Sequence, residues 1–167
     1  MIAGGPIFQL CWVVSDLAAA RQEFTTRYGV AQWLTVADVH FGPASAELRG
    51  VPADYTISVA LGYAGGQQVE LIEPHGGVSL YSEHLERVGP GLHHAAWVPG
   101  DFDAALAEAR AAGIAIVGRG RFEGAGMEFA YLDGGPIGSC FELLRLSEEM
   151  KAMFDQLIPD GFTNPWR

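Results

Sequence analysis

The chain repeats itself, and that repeat restricts its fold more than any other feature. The segment QLCWVVSDLAAA (9–20) aligns without a gap on HAAWVPGDFDAA (94–105). Trp12 falls on Trp97, Val13 on Val98, Asp16 on Asp101, and Ala19-Ala20 on Ala104-Ala105, every pair 85 residues apart. Self-similarity at one fixed offset marks a supersecondary unit used twice. Each copy opens as a short apolar strand, then a turn, then a helix. Asp16 and Asp101 sit where a carboxylate can accept the unpaired N–H groups of a first helical turn. Leu17, Ala20, Phe24 and Tyr28 follow at helical spacing, as do Phe102, Leu106 and Ala109 in the second copy. Gly29 and Gly113 come next, where a left-handed residue closes a helix.

The two copies also end alike. Val69-Glu70-Leu71-Ile72 matches Phe141-Glu142-Leu143-Leu144. Between helix and closing strand, Gly-Pro and Gly-Gly clusters separate two further strand-like stretches per copy. These are about 33–41 and 55–63 in the first copy, and 115–119 and 127–132 in the second. The predicted fold is therefore α+β, two tandem βαβββ modules. The first module spans 6–74. A linker with a short helix around Tyr81–Arg87 spans 75–91, and the second module spans 92–146. A C-terminal helix and an irregular tail holding Phe162 and Trp166 fill 147–167. Apolar groups in such a tail imply docking, on the body or on a second copy.

Charge and composition remove several function classes. Ten basic residues stand against twenty acidic ones, a formal net charge of −10. Duplex binding and anionic membrane binding both need a basic surface, so neither partner is expected. No apolar run approaches the length needed to cross a bilayer. The opening residues lack the basic start of a signal peptide, which points to the cytoplasm. Cys11 and Cys140 are too few for a disulfide framework and read as reduced thiols.

Polarity inside apolar strands locates the candidate site. Side chains at i, i+2 and i+4 of a strand share a face. Gln9 then lies with Cys11 and Val13, His94 with Ala96 and Val98, Glu70 with Gln68 and Ile72, and Glu142 with Cys140 and Leu144. Leu10, Trp12 and Val14 face the helices. A carboxylate buried without a partner costs several kcal/mol or stays protonated. Two such carboxylates at equivalent points of two repeats suggest a shared cation. One amide oxygen, one imidazole and two carboxylates carry a charge of −2, which neutralises a divalent ion and leaves positions for water or substrate. Gln9, Glu70, His94 and Glu142 are thus the predicted metal ligands, with Glu142 and then Glu70 as catalytic bases. Cys11, Phe41, Tyr63, Phe129 and Tyr131 are predicted to line a substrate pocket. Strand alternation turns His93 away from His94. His40, His75 and His84 fall in loops or the linker, with His75 near the pocket mouth. Arg119 and Arg121 are the candidates to hold an anionic group.

These residues resemble the vicinal oxygen chelate superfamily, which includes glyoxalase I, methylmalonyl-CoA epimerase, extradiol dioxygenases and bleomycin or fosfomycin resistance proteins. The resemblance rests on the Gln9 and His94 openings and the VELIEP (69–74) and FELL (141–144) closings, and it covers about residues 6–146. It implies curved mixed sheets forming a metal-binding cleft, ligands at Gln9, Glu70, His94 and Glu142, one divalent metal ion (zinc first, then nickel, cobalt or manganese) and a homodimer. The Gln, Glu, His, Glu set is similar to zinc glyoxalase I, whose last glutamate is also the base, a role that would fall on Glu142. That enzyme holds glutathione with an arginine where this chain has Val13 and an asparagine where it has Pro74. Losing both argues against glutathione-dependent activity. Dioxygenases use two histidines and a glutamate on iron, which Gln9 and Glu70 fit poorly. The epimerase is similar in its GLHH (91–94) opening. The resemblance therefore implies an isomerase, epimerase or lyase acting on a small oxygenated or thioester substrate through a metal-stabilised enolate. The alternative is a non-catalytic, resistance-type small-molecule binder. Whether the site closes within one chain or between two copies stays open.

Overall fold

A computed structural model of the chain describes residues 1–122 and 124–167. The first copy supplies β1 (Gln9–Val13), α1 (Leu17–Tyr28), β2 (Trp33–Phe41), β5 (Tyr55–Ala64) and β6 (Gln67–Gly77), with a hairpin of β3 (Ala46–Leu48) and β4 (Val51–Pro52) set between β2 and β5. Helix α2 (Leu80–Val88) then leads into the second copy, made of β7 (Gly91–Trp97), α3 (Phe102–Ala111), β8 (Ile116–Phe122), β9 (Met127–Leu132) and β10 (Cys140–Leu146). Helix α4 (Glu148–Leu157) closes the chain.

The helix boundaries follow the predicted caps. Asp16 accepts from the Ala19 amide and Asp101 from the Ala104 amide, both at 2.9 Å. Gly29 and Gly113 take left-handed conformations with φ of 74° and 73°. Leu17 and the row Phe102, Leu106 and Ala109 are buried, whereas Tyr28 is exposed and its ring lies tilted against Phe24. Two small cores fill the outer face. One joins α1 to β5 and β6 through Leu17, Ala60 and Leu71, and the other joins α3 to β9 and β10 through Leu106, Ala130 and Leu143.

All ten strands form one mixed sheet, in the order β2-β5-β6-β1-β7-β10-β9-β8-β3-β4. Within each copy the first and last strands pair in parallel, β1 with β6 and β7 with β10. The copies join where β1 and β7 run antiparallel. The sheet curls into a half-barrel whose inner face holds the largest core, with Cys11, Val13, Ile72, Ala96 and Leu144 among its members. The two modules are therefore fused edge to edge within a single chain.

Two features depart from the sequence reading. The β3–β4 hairpin turns on Arg49 and Gly50, both at positive φ, as a two-residue hairpin turn requires. Strand β3 then pairs with β8 of the other copy, so the segment after β2 crosses from one edge of the sheet to the other. AELRGVP carries too little alternation to announce a strand. Secondly, β6 runs through Pro74 to Gly77, beyond the predicted start of the linker. Of the two surfaces expected to receive the tail, the body does so: Trp166 packs on Phe8 and Phe154, with ring centroids at 5.0 and 6.4 Å. Among the described residues no helix is long and apolar enough to cross a membrane.

Gly77 tests the β5–β6 junction. Its φ is +76°, and a Cβ there would lie 2.0 Å from the Asp54 carbonyl oxygen, whereas a Cβ on Gly76 would meet nothing within 4 Å. Gly77→Ala is expected to destabilise the protein by about 1 kcal/mol or more. Gly76→Ala is expected to stay within about 0.5 kcal/mol of the parent. Thermal unfolding of the two variants measures the difference.

Candidate metal centre

The strand register assembles the site from two adjacent rows on the inner face. In the first row Gln9 is paired with Gln68 on one side and Ala96 on the other, and Ala96 in turn with Glu142. In the second row Cys11 is paired with Glu70 on one side and His94 on the other. The predicted ligands thus flank two small residues, Ala96 and Cys11, and all of them come from one chain. Gln9 and Glu70 belong to the first copy, His94 and Glu142 to the second.

His94 Nε2 lies 3.1 Å from Glu142 Oε2 and 3.4 Å from Glu70 Oε2. The His94 side chain is 0% exposed, Glu142 5% and Glu70 13%. Gln9 Oε1, Glu70 Oε2 and His94 Nε2 are buried without a hydrogen-bond partner. A buried polar atom left unpaired costs about 1–3 kcal/mol, more when charged. Three of them on one face meet the donor requirement of a hard or borderline divalent cation. Cys11, Glu70 and His94 each place a ligating atom within 4.8 Å of the others.

The electrostatics follow from this crowding. Burial disfavours charge on His94, but the Glu142 and Glu70 carboxylates outweigh it and raise its pKa to about 9. Burial lifts the Glu142 carboxyl above its usual range against the lowering pull of His94. Both shifts describe one cluster that grips protons more tightly than an unfolded chain would. Burial, and then the Glu70 and Glu142 carboxylates, push the Cys11 thiol well up, so it stays neutral.

His93 does not turn away from His94. Across β1 and β7, Cys11 pairs with His94 but Trp12 pairs with Leu92, so the register slips at His93. Such a slip breaks the alternation of side chains along a strand. His93 Nδ1 sits 2.8 Å from His94 Nδ1, and the Tyr131 ring contacts both imidazoles. Burial drives the His93 pKa down to about 2, so it is neutral and accepts the proton that His94 carries on Nδ1. That bond holds His94 with Nε2 toward the carboxylates, the usual arrangement beside a metal-binding histidine.

A cavity of about 190 Å³ adjoins the cluster. Gln9, Glu70 and Glu142 line part of it, and of the candidate pocket residues Phe41, Phe129 and Tyr131 line it too. Two predicted wall residues do not. Cys11 is fully buried beneath the cluster, because its row lies between Glu70 and His94. Tyr63 is buried elsewhere, with its hydroxyl bonded to Asn164 and Gln68. Tyr81, Met150, Met153 and Phe154 line the cavity without having been foreseen. Tyr81 joins Tyr131 through a 2.7 Å hydroxyl contact. The spacing of Met150, Met153, Phe154 and Leu157 did mark one helical face, but not what it covers.

The remaining candidates lie apart. His75 bonds Ser58 at 2.7 Å, and Ser58 faces away from its neighbours Ile57 and Val59, which line the cavity. His40 pairs with Asp54 on the surface. His84 stacks edge-on to His93 outside the cavity. Arg119 and Arg121 stand on β8 and border a separate open groove with Glu47 and Glu128.

The fold and this face define the class. The family model for the Glyoxalase/Bleomycin resistance protein/Dioxygenase superfamily matches residues 8–131, and the chain belongs to that superfamily. No curated protein matches the sequence. Among solved structures, a methylmalonyl-CoA epimerase in complex with methylmalonyl-CoA and NH4+ aligns with a TM-score of 0.63 and 21% identity, over 86% of this chain and 96% of its own. The Mycobacterium tuberculosis methylmalonyl-CoA epimerase gives 0.58 and 18%, over 90% and 93%. A hypothetical protein from Bacillus halodurans gives 0.67 and 17%, over 87% and 96%. At these identities the likeness is one of fold.

The proton held by the cluster sets a pH dependence. A histidine whose folded pKa is raised stabilises the fold fully below its unfolded value of 6.5 and loses that contribution as pH rises through about 9. Metal-stripped protein is expected to show a falling thermal midpoint between those two values, and His94→Gln to flatten the slope. Zinc affinity is expected to rise over the same window, because the metal competes with that proton. Calorimetry with and without zinc measures both trends.

Proposed function

We propose that the protein is a metal-dependent isomerase, epimerase or lyase of the glyoxalase-like type. Gln9, Glu70, His94 and Glu142 are its metal ligands, and its substrate is a small oxygenated carbon compound. The observation that carries this reading is the meeting of three unpartnered buried atoms, Gln9 Oε1, Glu70 Oε2 and His94 Nε2, beside an apolar cavity. Zinc suits this donor set first, with nickel, cobalt or manganese next. When bound, such a cation would supply Lewis acidity toward a substrate carbonyl oxygen.

The chain's own groups do the rest. Glu142 reaches the cavity with a carboxyl that burial holds above its usual range, which suits a group that takes and returns a proton. Glu70 lines the same cavity and serves as the second acid–base group. An α-proton passing to one carboxylate and back from the other inverts the carbon without a redox step. The apolar walls exclude water from the carbanion. Among the described residues no lysine, arginine or histidine lines the cavity. With the two carboxylates' charge taken up by the cation, an anionic group would find no basic side chain there to pair with. This favours an uncharged oxygenated substrate over the charged part of a thioester. On the resemblance alone, we extend the proposal to a homodimer in the cytoplasm.

The same apolar walls favour a second reading, a binder that sequesters a small apolar molecule without chemistry. Elemental analysis of protein purified without chelator separates the two. Stoichiometric zinc, nickel, cobalt or manganese that is lost in Glu142→Ala is the expected result. A metal-free parent protein would support the binder, and iron would support ring-cleaving chemistry. Exchange of α-protons with deuterated water, followed by NMR on small uncharged ketones and hydroxyketones, then tests the base. Glu142→Gln is expected to slow exchange by about 10²-fold or more.

A further inference from the structure

A chain of buried hydrogen bonds connects the candidate centre to the C-terminal tail. It begins at Asp155 on α4. An ionised carboxylate can only accept hydrogen bonds. Asp155 Oδ1 accepts from Asn164 Nδ2 at 2.8 Å and from Trp166 Nε1 at 3.1 Å, and Oδ2 accepts from Arg167 Nε at 2.7 Å. Partial burial pushes this carboxyl up, but Asn164 and Arg167 more than offset that and hold it below its usual range.

Each later link inherits its direction from that end. With its amide nitrogen committed to Asp155, Asn164 turns Oδ1 toward Tyr63, whose hydroxyl donates to it at 2.8 Å. The Tyr63 oxygen then accepts from Gln68 Nε2 at 3.0 Å. Gln68 Oε1 is left to accept from Gln9 Nε2 at 2.8 Å. The atom remaining at the end is Gln9 Oε1, buried and unpartnered, on a residue that lines the cavity. Turning over any one amide would set two oxygens or two N–H groups against each other. Gln9, Tyr63, Gln68 and Asn164 are all at most 3% exposed, so water cannot readily repair such a mismatch.

We infer that Asp155, Asn164, Tyr63 and Gln68 form a positioning relay through which the C-terminal tail presents the oxygen of Gln9, rather than its nitrogen, to a divalent cation. This rests on the metal reading above. The relay makes metal affinity depend on residues that are not ligands, among them Asp155 and Asn164 of the C-terminal segment. It also gives the tail a role beyond covering apolar surface.

Titration of the metal-stripped full-length protein with Co2+, followed by visible absorption, tests the relay. Tyr63→Phe cuts the chain in the middle and is expected to weaken Co2+ binding by about 10–100-fold. Asp155→Asn keeps the size but can donate as well as accept, so it removes the fixed direction and is expected to weaken binding too. Circular dichroism checks that both variants fold. In a Gln9→Glu background, Tyr63→Phe is expected to cost less than about threefold, because both carboxylate oxygens accept and no orientation is needed. Parent protein that binds Co2+ while Tyr63→Phe stays within about twofold of it overturns the relay alone. Equal losses in the Gln9 and Gln9→Glu backgrounds also overturn it, since they mark a purely structural role. Parent protein that binds no Co2+ overturns the metal reading, and the relay with it.

Discussion

Two carboxylates and an imidazole crowded onto the inner face of an apolar sheet are the constraint on which this structure turns. His94 is wholly buried, and Glu142 nearly so, within about 3 Å of each other. Without a cation the two carboxylates draw a proton onto His94 and raise its pKa, whereas burial, against the pull of His94, lifts Glu142 above its usual range. Such a cluster is costly unless each group has a partner. A stability-driven core would carry apolar residues at these positions, as the neighbouring Leu71, Ile72, Leu143 and Leu144 do. Its persistence at equivalent ends of two repeats is best understood as the demand of a ligand-binding site.

The sheet is built to make that crowding possible. Each repeat alone offers one polar residue on its first strand and one glutamate on its last. Parallel pairing of first and last strands brings those two together within a copy. Antiparallel pairing of β1 with β7 then sets the two copies side by side, and the rows through Gln9 and Cys11 carry the four groups onto one face. The small residues between them, Ala96 and Cys11, let the larger side chains lean inward. The crossing segment with β3, pairing on β8, ties the far edge of one copy to the other.

Around the inner groups lies a second layer that fixes their orientation. His93 holds His94 through its Nδ1, and the Gln68–Tyr63–Asn164–Asp155 chain holds Gln9 through its Nε2. In both cases the atom turned toward the centre is the one its outer partner leaves free. His93, Tyr63 and Gln68 stand on strands of the repeats themselves, whereas Asn164 and Asp155 come from the C-terminal segment outside them. The same tail brings Phe154 and Trp166 against Phe8, and α4 puts Met150 and Met153 on the cavity. One terminal segment therefore shapes both the cavity and the amide beside it.

The sequence by itself determined the repeat, the strand–helix–strand order, the helix caps at Asp16 and Asp101, and the four polar residues on one strand face. Those features are local: periodicity, capping chemistry and the alternation of side chains within one strand express themselves over a few neighbouring residues. Only the tertiary structure decided that both copies share one continuous sheet, so that the site forms within a single chain. It also decided that Cys11 lies beneath the cluster, that His93 stays beside His94, and that Tyr63 bonds Asn164 instead of lining the cavity. Each of these depends on a pairing between distant segments or on a register slip between β1 and β7. Such choices are made by how edges meet and cores fill, for which the residues at any one position carry no separate signal.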